Sequence, residues 1–206
     1  MILKLKRYFF RSSSAMLLFF LLVITGKIFA QKKGFKIKPP DHIKVQYAGG
    51  IGFISIGAGY STKNQKLEGD LSYGYLPKSV GGIRIHSISG KVTWIPIHPV
   101  SVKKYQVEPL MTGLVVNYSF GKQYFSFDPP YYPYLYYSFP TAIHSALFLG
   151  SRIDYNFPTQ SHVKRISVYY EILSFDREIL SFVSNTKSLK ITDIVTLALG
   201  VKINFD

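Results

Sequence analysis

Cysteine is absent from the 206-residue chain, which excludes a disulfide scaffold, a cysteine nucleophile, thiolate zinc sites and a lipid-modified cysteine anchor. Acidic residues are scarce, 11 against 25 Lys+Arg. The basic residues are scattered singly rather than gathered into the stripe of a nucleic-acid reader, so no nucleic-acid partner is expected. Also lacking is an apolar run of the ~20 residues that a helix needs to cross a bilayer. The five histidines, His42, His86, His98, His144 and His162, stand too far apart for a local metal motif, and no HExxH is spelled, so no metal site is expected. Neither GxGxxG nor GxxxxGK[ST] occurs, and no cofactor is expected either. What the chain has is 16 Tyr, 16 Phe and 47% hydrophobic residues, too much for disorder and enough for one folded domain.

Lys4, Lys6, Arg7 and Arg11 precede an unbroken apolar stretch from Ala15 to Ile24, and Ile28-Phe29-Ala30 then leads to Gln31. A positive region, a short apolar region and a small residue at the cleavage point read as a secretory signal peptide over 1–30. Lys27 is the one discordant residue. Loss of 1–30 would lower the net charge from +14 to +9, a balance suited to anionic lipid or lipopolysaccharide head groups. Residues 31–42 read as an unstructured basic leader.

From residue 43 onward helical period is nearly missing, and segments of about ten residues alternate apolar with small or polar side chains, which means strands. Leu67, Gly69, Leu71, Tyr73 and Tyr75 oppose Glu68, Asp70, Ser72 and Gly74. Leu114, Val116, Tyr118 and Phe120 oppose Gly113, Val115, Asn117 and Ser119, and Leu197, Leu199, Val201 and Ile203 oppose Ala198, Gly200, Lys202 and Asn204. The second face decides the architecture, because in a soluble sandwich it would carry long charged residues at high density. Small polar residues inward and large apolar ones outward instead describe a transmembrane barrel.

Eight strands are expected, at 43–49, 51–60, 66–76, 83–95, 110–121, 142–155, 163–173 and 190–205, an even number that closes an antiparallel sheet and leaves no edge in hydrocarbon. Residues 43–60 are open to two readings, a hairpin turning at Gly49-Gly50 or one bent strand. The long Pro96–Pro109 connection falls on the side where short turns are expected. Tyr60, Tyr75, Tyr118 and Tyr155 fall at strand ends, where an interfacial girdle would place them. Both termini then share the periplasmic side, and the long connections 122–141 and 174–189 form the opposite, surface-exposed end.

This pattern, over residues 43–206 and including the ending Leu197–Phe205, resembles the small single-domain outer-membrane β-barrel proteins of Gram-negative bacteria. The resemblance implies an outer-membrane location, lipid and lipopolysaccharide as neighbours, and an aromatic-terminated last strand. Asp206 after Phe205 departs from that ending. Because the class hosts many functions, activity must come from particular residues.

The inward parity collects Glu68, Asp70, Lys91, His144, Arg152, Asp154, Arg165, Glu171 and Lys202, nearly balanced in sign, as an ion network filling a narrow lumen requires. The catalytic candidates are His144 and Glu171, which are similar in type and strand placement to the histidine and glutamate of outer-membrane lipid A deacylases. In that family the histidine and serine lie two apart on one strand face. Here Ser145 follows His144 directly and points to the other face, and position 146 is Ala. The run Tyr124–Phe139, with Tyr131, Tyr132, Tyr134, Tyr136 and Tyr137 among prolines, reads as a stiff aromatic surface loop for a protein or glycan partner. The expected role is therefore non-enzymatic, structural or surface-binding, with a membrane-embedded lipid A or phospholipid hydrolase as the alternative.

Overall fold

The computed structural model describes residues 38–125, 141–158, 162–186 and 188–205. The signal peptide expected over 1–30, most of the leader, and the aromatic run from Tyr131 to Tyr137 lie outside the described residues. The chain divides into units 1–39 and 40–206, and the fold below is that of the second.

In chain order the elements are β1 (His42–Ala48), β2 (Ile54–Ser61), β3 (Leu67–Leu76), α1 (Lys78–Gly81), β4 (Ile85–Trp94), β5 (Val100–Val102), β6 (Tyr105–Phe120), β7 (Ile143–Asn156), β8 (Val163–Phe175), α2 (Asp176–Ser184) and β9 (Thr196–Phe205). All pairings are antiparallel, and the sheet closes on itself because β4 also pairs with β6 while β1 pairs with β9. Eight strands, all but β5, form the ring. The short β5 pairs only with the first residues of β6, as a hairpin extending beyond the ring. β1 begins and β9 ends at the same end of the barrel, called here the terminal end.

The hairpin reading of 43–60 is the one the structure adopts, since β1 and β2 pair from His42↔Gly59 to Tyr47↔Ile54. Ala48, Gly49 and Gly50 at the turn all have positive φ, of 60°, 81° and 74°, which two glycines permit cheaply. The turn then folds into the far mouth. Ile51 is buried, Ser87 Oγ donates to its carbonyl at 2.5 Å, and any Cβ on Gly74 would collide with that same oxygen.

Three expected boundaries need correction. The strand expected at 110–121 begins at Tyr105, so Tyr105–Glu108, assigned to a loop, is wall. Pro109 has no N–H for the ladder, and the pairing of β6 with β7 shifts register between Glu108 and Met111; the strand bulges there instead of ending. At the other extreme, β9 starts at Thr196 rather than 190, because Ile191–Asp193 form a 3-10 turn. And β1 begins at His42, the last residue assigned to the leader, whose side chain is fully buried.

The inside–outside alternation holds around the ring. Val45, Ile56, Leu71, Val92, Leu149, Val168 and Val201 are exposed, while their sequence neighbours turn inward. Aromatic rings border this apolar band at both ends: Tyr60, Trp94, Tyr105 and Tyr155 on the terminal side, and Tyr47, Tyr73, Tyr118 and Phe120 on the far side. Tyr105 and Tyr155 stack edge-on at 5.5 Å, and Tyr118 and Phe120 at 5.0 Å.

The interior is not uniformly polar, however. Ile51, Val115, Ala146, Phe148, Leu173, Phe175 and Ala198 form the far-end part of a buried apolar cluster that also takes in Met111, Tyr169 and Ile95, and ionisable and small polar side chains fill most of the rest. Lys91 Nζ lies 4.2 Å from the centre of the Phe148 ring and joins the two zones.

Candidate functional site

The strands that carry inward charges deliver them by the same rule: side chains at alternate positions share one face. Glu68 and Asp70 on β3, Lys91 on β4, Arg152 and Asp154 on β7, Arg165 and Glu171 on β8, and Lys202 on β9 are all buried. The structure adds His42, Lys44 and Gln46 on β1 and Glu108 on β6, each also buried. Among the described residues the lumen thus holds five carboxylates and five fixed cations, with His42 besides. An unpaired buried charge costs several kcal/mol, so equal numbers are close to a condition for folding.

Arg152 is the hub. Its Nη1 and Nη2 grip the two Glu68 oxygens at 3.0 Å each, a fork-to-fork pair that only the planar guanidinium makes. Nη2 also lies 2.6 Å from Glu108 Oε2, and Nε lies 3.4 Å from Asp154 Oδ1. Lys202 Nζ donates to Glu68 Oε1 at 2.6 Å. Arg165 faces Asp154 at 3.2 Å and donates to Gln65 Oε1 at 3.1 Å. A second group centres on Asp70, which meets His42 Nε2 at 2.6 Å and Lys44 Nζ at 2.7 Å. Lys91 pairs with Glu171. Tyr169, on β8, packs its ring over Gly200, where a Cβ would overlap the ring, and donates to Gln46 Oε1 at 3.2 Å. A void of about 10 Å³ lies among Lys44, Glu68, Lys91, Arg152, Glu171 and Lys202, about one water molecule, and a larger one of about 160 Å³ opens beside Glu108 and Gln65.

His144 and Glu171 are not brought together. Their strands are neighbours, but Glu171 pairs opposite Gly150, six residues along β7 from His144, roughly 20 Å at ~3.4 Å per residue. His144 sits at the far rim, where Nδ1 faces Asp176 Oδ1 at 3.4 Å and Nε2 faces the Thr141 carbonyl at 3.1 Å. A general base needs a free ring lone pair. Here both nitrogens face oxygens that accept. Ser145 donates to Asp176 Oδ2 through both its backbone N–H (3.0 Å) and its hydroxyl (3.2 Å), so the serine contacts the acid rather than the imidazole. This cluster docks the first turn of α2 onto β7.

Asp176 carries the pH dependence of that docking. Burial by itself would raise its carboxyl. Hydrogen bonds from His144 and from the Ser145 and Arg177 N–H groups outweigh this and hold it below its ordinary value of 3.8. A carboxylate whose folded value is depressed contributes stability above its unfolded value and loses it as pH falls through the folded one. Pepsin nicking of 176–195 is therefore expected to accelerate as pH falls below about 4. Asp176→Asn should nick at a nearly constant rate per unit of pepsin activity across that window.

The network residues that the sequence reading missed left a usable signal in one case. His42, Lys44 and Gln46 alternate with Ile43, Val45 and Tyr47, the same pattern that identified the other strands. Glu108 left none, because Pro109 beside it argues against a strand.

Fold and site define an all-β protein: a closed antiparallel eight-stranded barrel with an apolar exterior and an ion-paired interior. No protein-family model matches the chain, and no curated protein matches it significantly. Among solved structures it is similar to Neisserial surface protein A, at 12% identity and a TM-score of 0.37 over 80% of this chain and 95% of that one. The assignment of the fold rests on the sheet closure itself.

Proposed function

We propose that the protein is a Gram-negative outer-membrane β-barrel with a non-enzymatic role at the cell surface. It acts as a rigid, sealed stand that presents the far-end connections, 122–141 and 174–189, to protein or glycan partners. The observation that carries this reading is the inversion of the barrel. Val168 and Leu71 are 60% and 66% exposed while Arg152 and Glu68 are 2% and 4% exposed, an arrangement that suits an outer surface meeting lipid. The ionic lumen and the inserted Ile51 turn support a structural interior rather than a pore.

Because the chain has no native cysteine, single introduced thiols report topology cleanly. On intact cells a membrane-impermeant maleimide should label Thr192→Cys, at the far end, but not Asn64→Cys, in the β2–β3 turn; permeabilised cells should label both. The purified protein should migrate faster unboiled than boiled and should show no ion steps in planar bilayers. Recovery of the chain in the soluble fraction, or labelling of the two sites in the reverse order, would overturn the reading.

A further inference from the structure

The outer wall carries a hydrogen-bonded polar pair near the far end: Tyr73 Oη and His86 Nδ1, 2.5 Å apart and exposed. The Tyr75 ring lies 5.2 Å from the imidazole, and Phe120 stands opposite His86 across the β4–β6 ladder. When the phenol donates to Nδ1, the neutral ring keeps its proton on Nε2 as a second donor. Hydrocarbon offers that donor no acceptor, which places this level of the wall among lipid head groups. Arg84 lies two residues before His86 and Lys122 two residues after Phe120, both just past the last β4–β6 pair at the far end. Lys78 lies in α1, in the same β3–β4 connection as Arg84.

These three cations are exposed, and none has an ion-pair partner among the described residues. The described acids outside the lumen at this end, Asp176, Glu178 and Asp193, all belong to the β8–β9 connection. Among the described residues the far rim is thus segregated by charge: one sector is cationic above aromatic rings and a histidine donor, and the other is mixed. A zwitterionic lipid brings its own cation and gains little from the first sector. A lipid with surplus phosphate gains from every charge, and flat rings suit the face of a sugar.

We infer that the β3–β4–β6 sector seats a phosphorylated glycolipid of the outer leaflet. Its phosphates lie on Lys78, Arg84 and Lys122, its sugar edge meets His86, and its acyl chains lie along the wall toward Ile88. This assignment rests on the outer-membrane reading above.

The test uses the full folded protein in non-ionic detergent, with bis-phosphorylated lipid A, its dephosphorylated form and phosphatidylglycerol as probes, read by native mass spectrometry. The wild type should retain bis-phosphorylated lipid A in preference to both others. K78Q/R84Q/K122Q should lower that retention about tenfold or more, single R84Q and K122Q should lower it in part, and R177Q/K190Q, in the mixed sector, should leave it unchanged. Equal retention by the triple variant and the wild type, or equal retention of the dephosphorylated lipid or of phosphatidylglycerol, would overturn the site. A wild-type chain that stays dispersed and folded without detergent would overturn the membrane reading, and the site with it.

Discussion

Val168→Lys is expected to destabilise the folded protein in lipid bilayers by about 2–4 kcal/mol, the cost of a lysine near the midplane of a barrel wall. Val183→Lys, at nearly the same exposure, should change stability by no more than about 0.5 kcal/mol. The two valines are 60% and 69% exposed, so accessible area does not distinguish them. The solvent does. Val168 lies mid-strand on β8, level with Val201 on β9 and Ile153 on β7, all exposed and apolar, whereas Val183 lies in α2, outside the wall. Folding into vesicles, followed by the unboiled gel shift across a urea series, reads both variants on one scale. If Val168→Lys proves as mild as Val183→Lys, the wall faces water and the membrane reading fails.

Arg152→Met should cost about 3–5 kcal/mol, the usual penalty for breaking a buried ion pair by removing one partner. The reason lies in what remains. Glu68 keeps Lys202 and Asp154 keeps Arg165, but Glu108, 1% exposed, is left without the guanidinium at 2.6 Å. The double variant Arg152→Met/Glu108→Leu removes that orphan and should recover a large part of the loss, since replacing a buried pair by apolar groups is often close to neutral. The cycle closes with Glu108→Leu alone, and its coupling energy separates an ion-pair network from simple packing. Additive losses in the double variant would show that Arg152 acts by filling space.

Much of the fold was legible because a strand in a two-sided environment writes that environment into alternate residues. Leu197, Leu199 and Val201 opposed to Ala198, Gly200 and Lys202 admit one orientation only if the apolar face is the larger and the other is mostly small. The same logic applied to the strand expected at 43–49 recovers Lys44 and Gln46, which lie inside it on one face, whereas His42 is lost by ending the leader one residue too late. Strand ends were less legible. Pro109 and the turn-forming stretch 190–195 carry local signals that tertiary pairing overrode in the first case and local turn geometry settled in the second.

The sequence by itself determined how side chains alternate between the two faces of each strand, because strand parity is a local property with a period of two residues. Which inward carboxylate meets which cation was decided only by closure. Glu68 and Arg152 are 84 residues apart in the chain and Glu68 and Lys202 are 134 apart, and no local pattern encodes a contact across a lumen. Closure also separated His144 from Glu171, since neighbouring strands share a face at every height and only the register, Gly150 opposite Glu171, says at which height two residues stand. The apolar zone around Phe148, Leu173 and Phe175 has the same origin. Inward parity says that a side chain is enclosed, and only the folded barrel says whether charge or hydrocarbon encloses it.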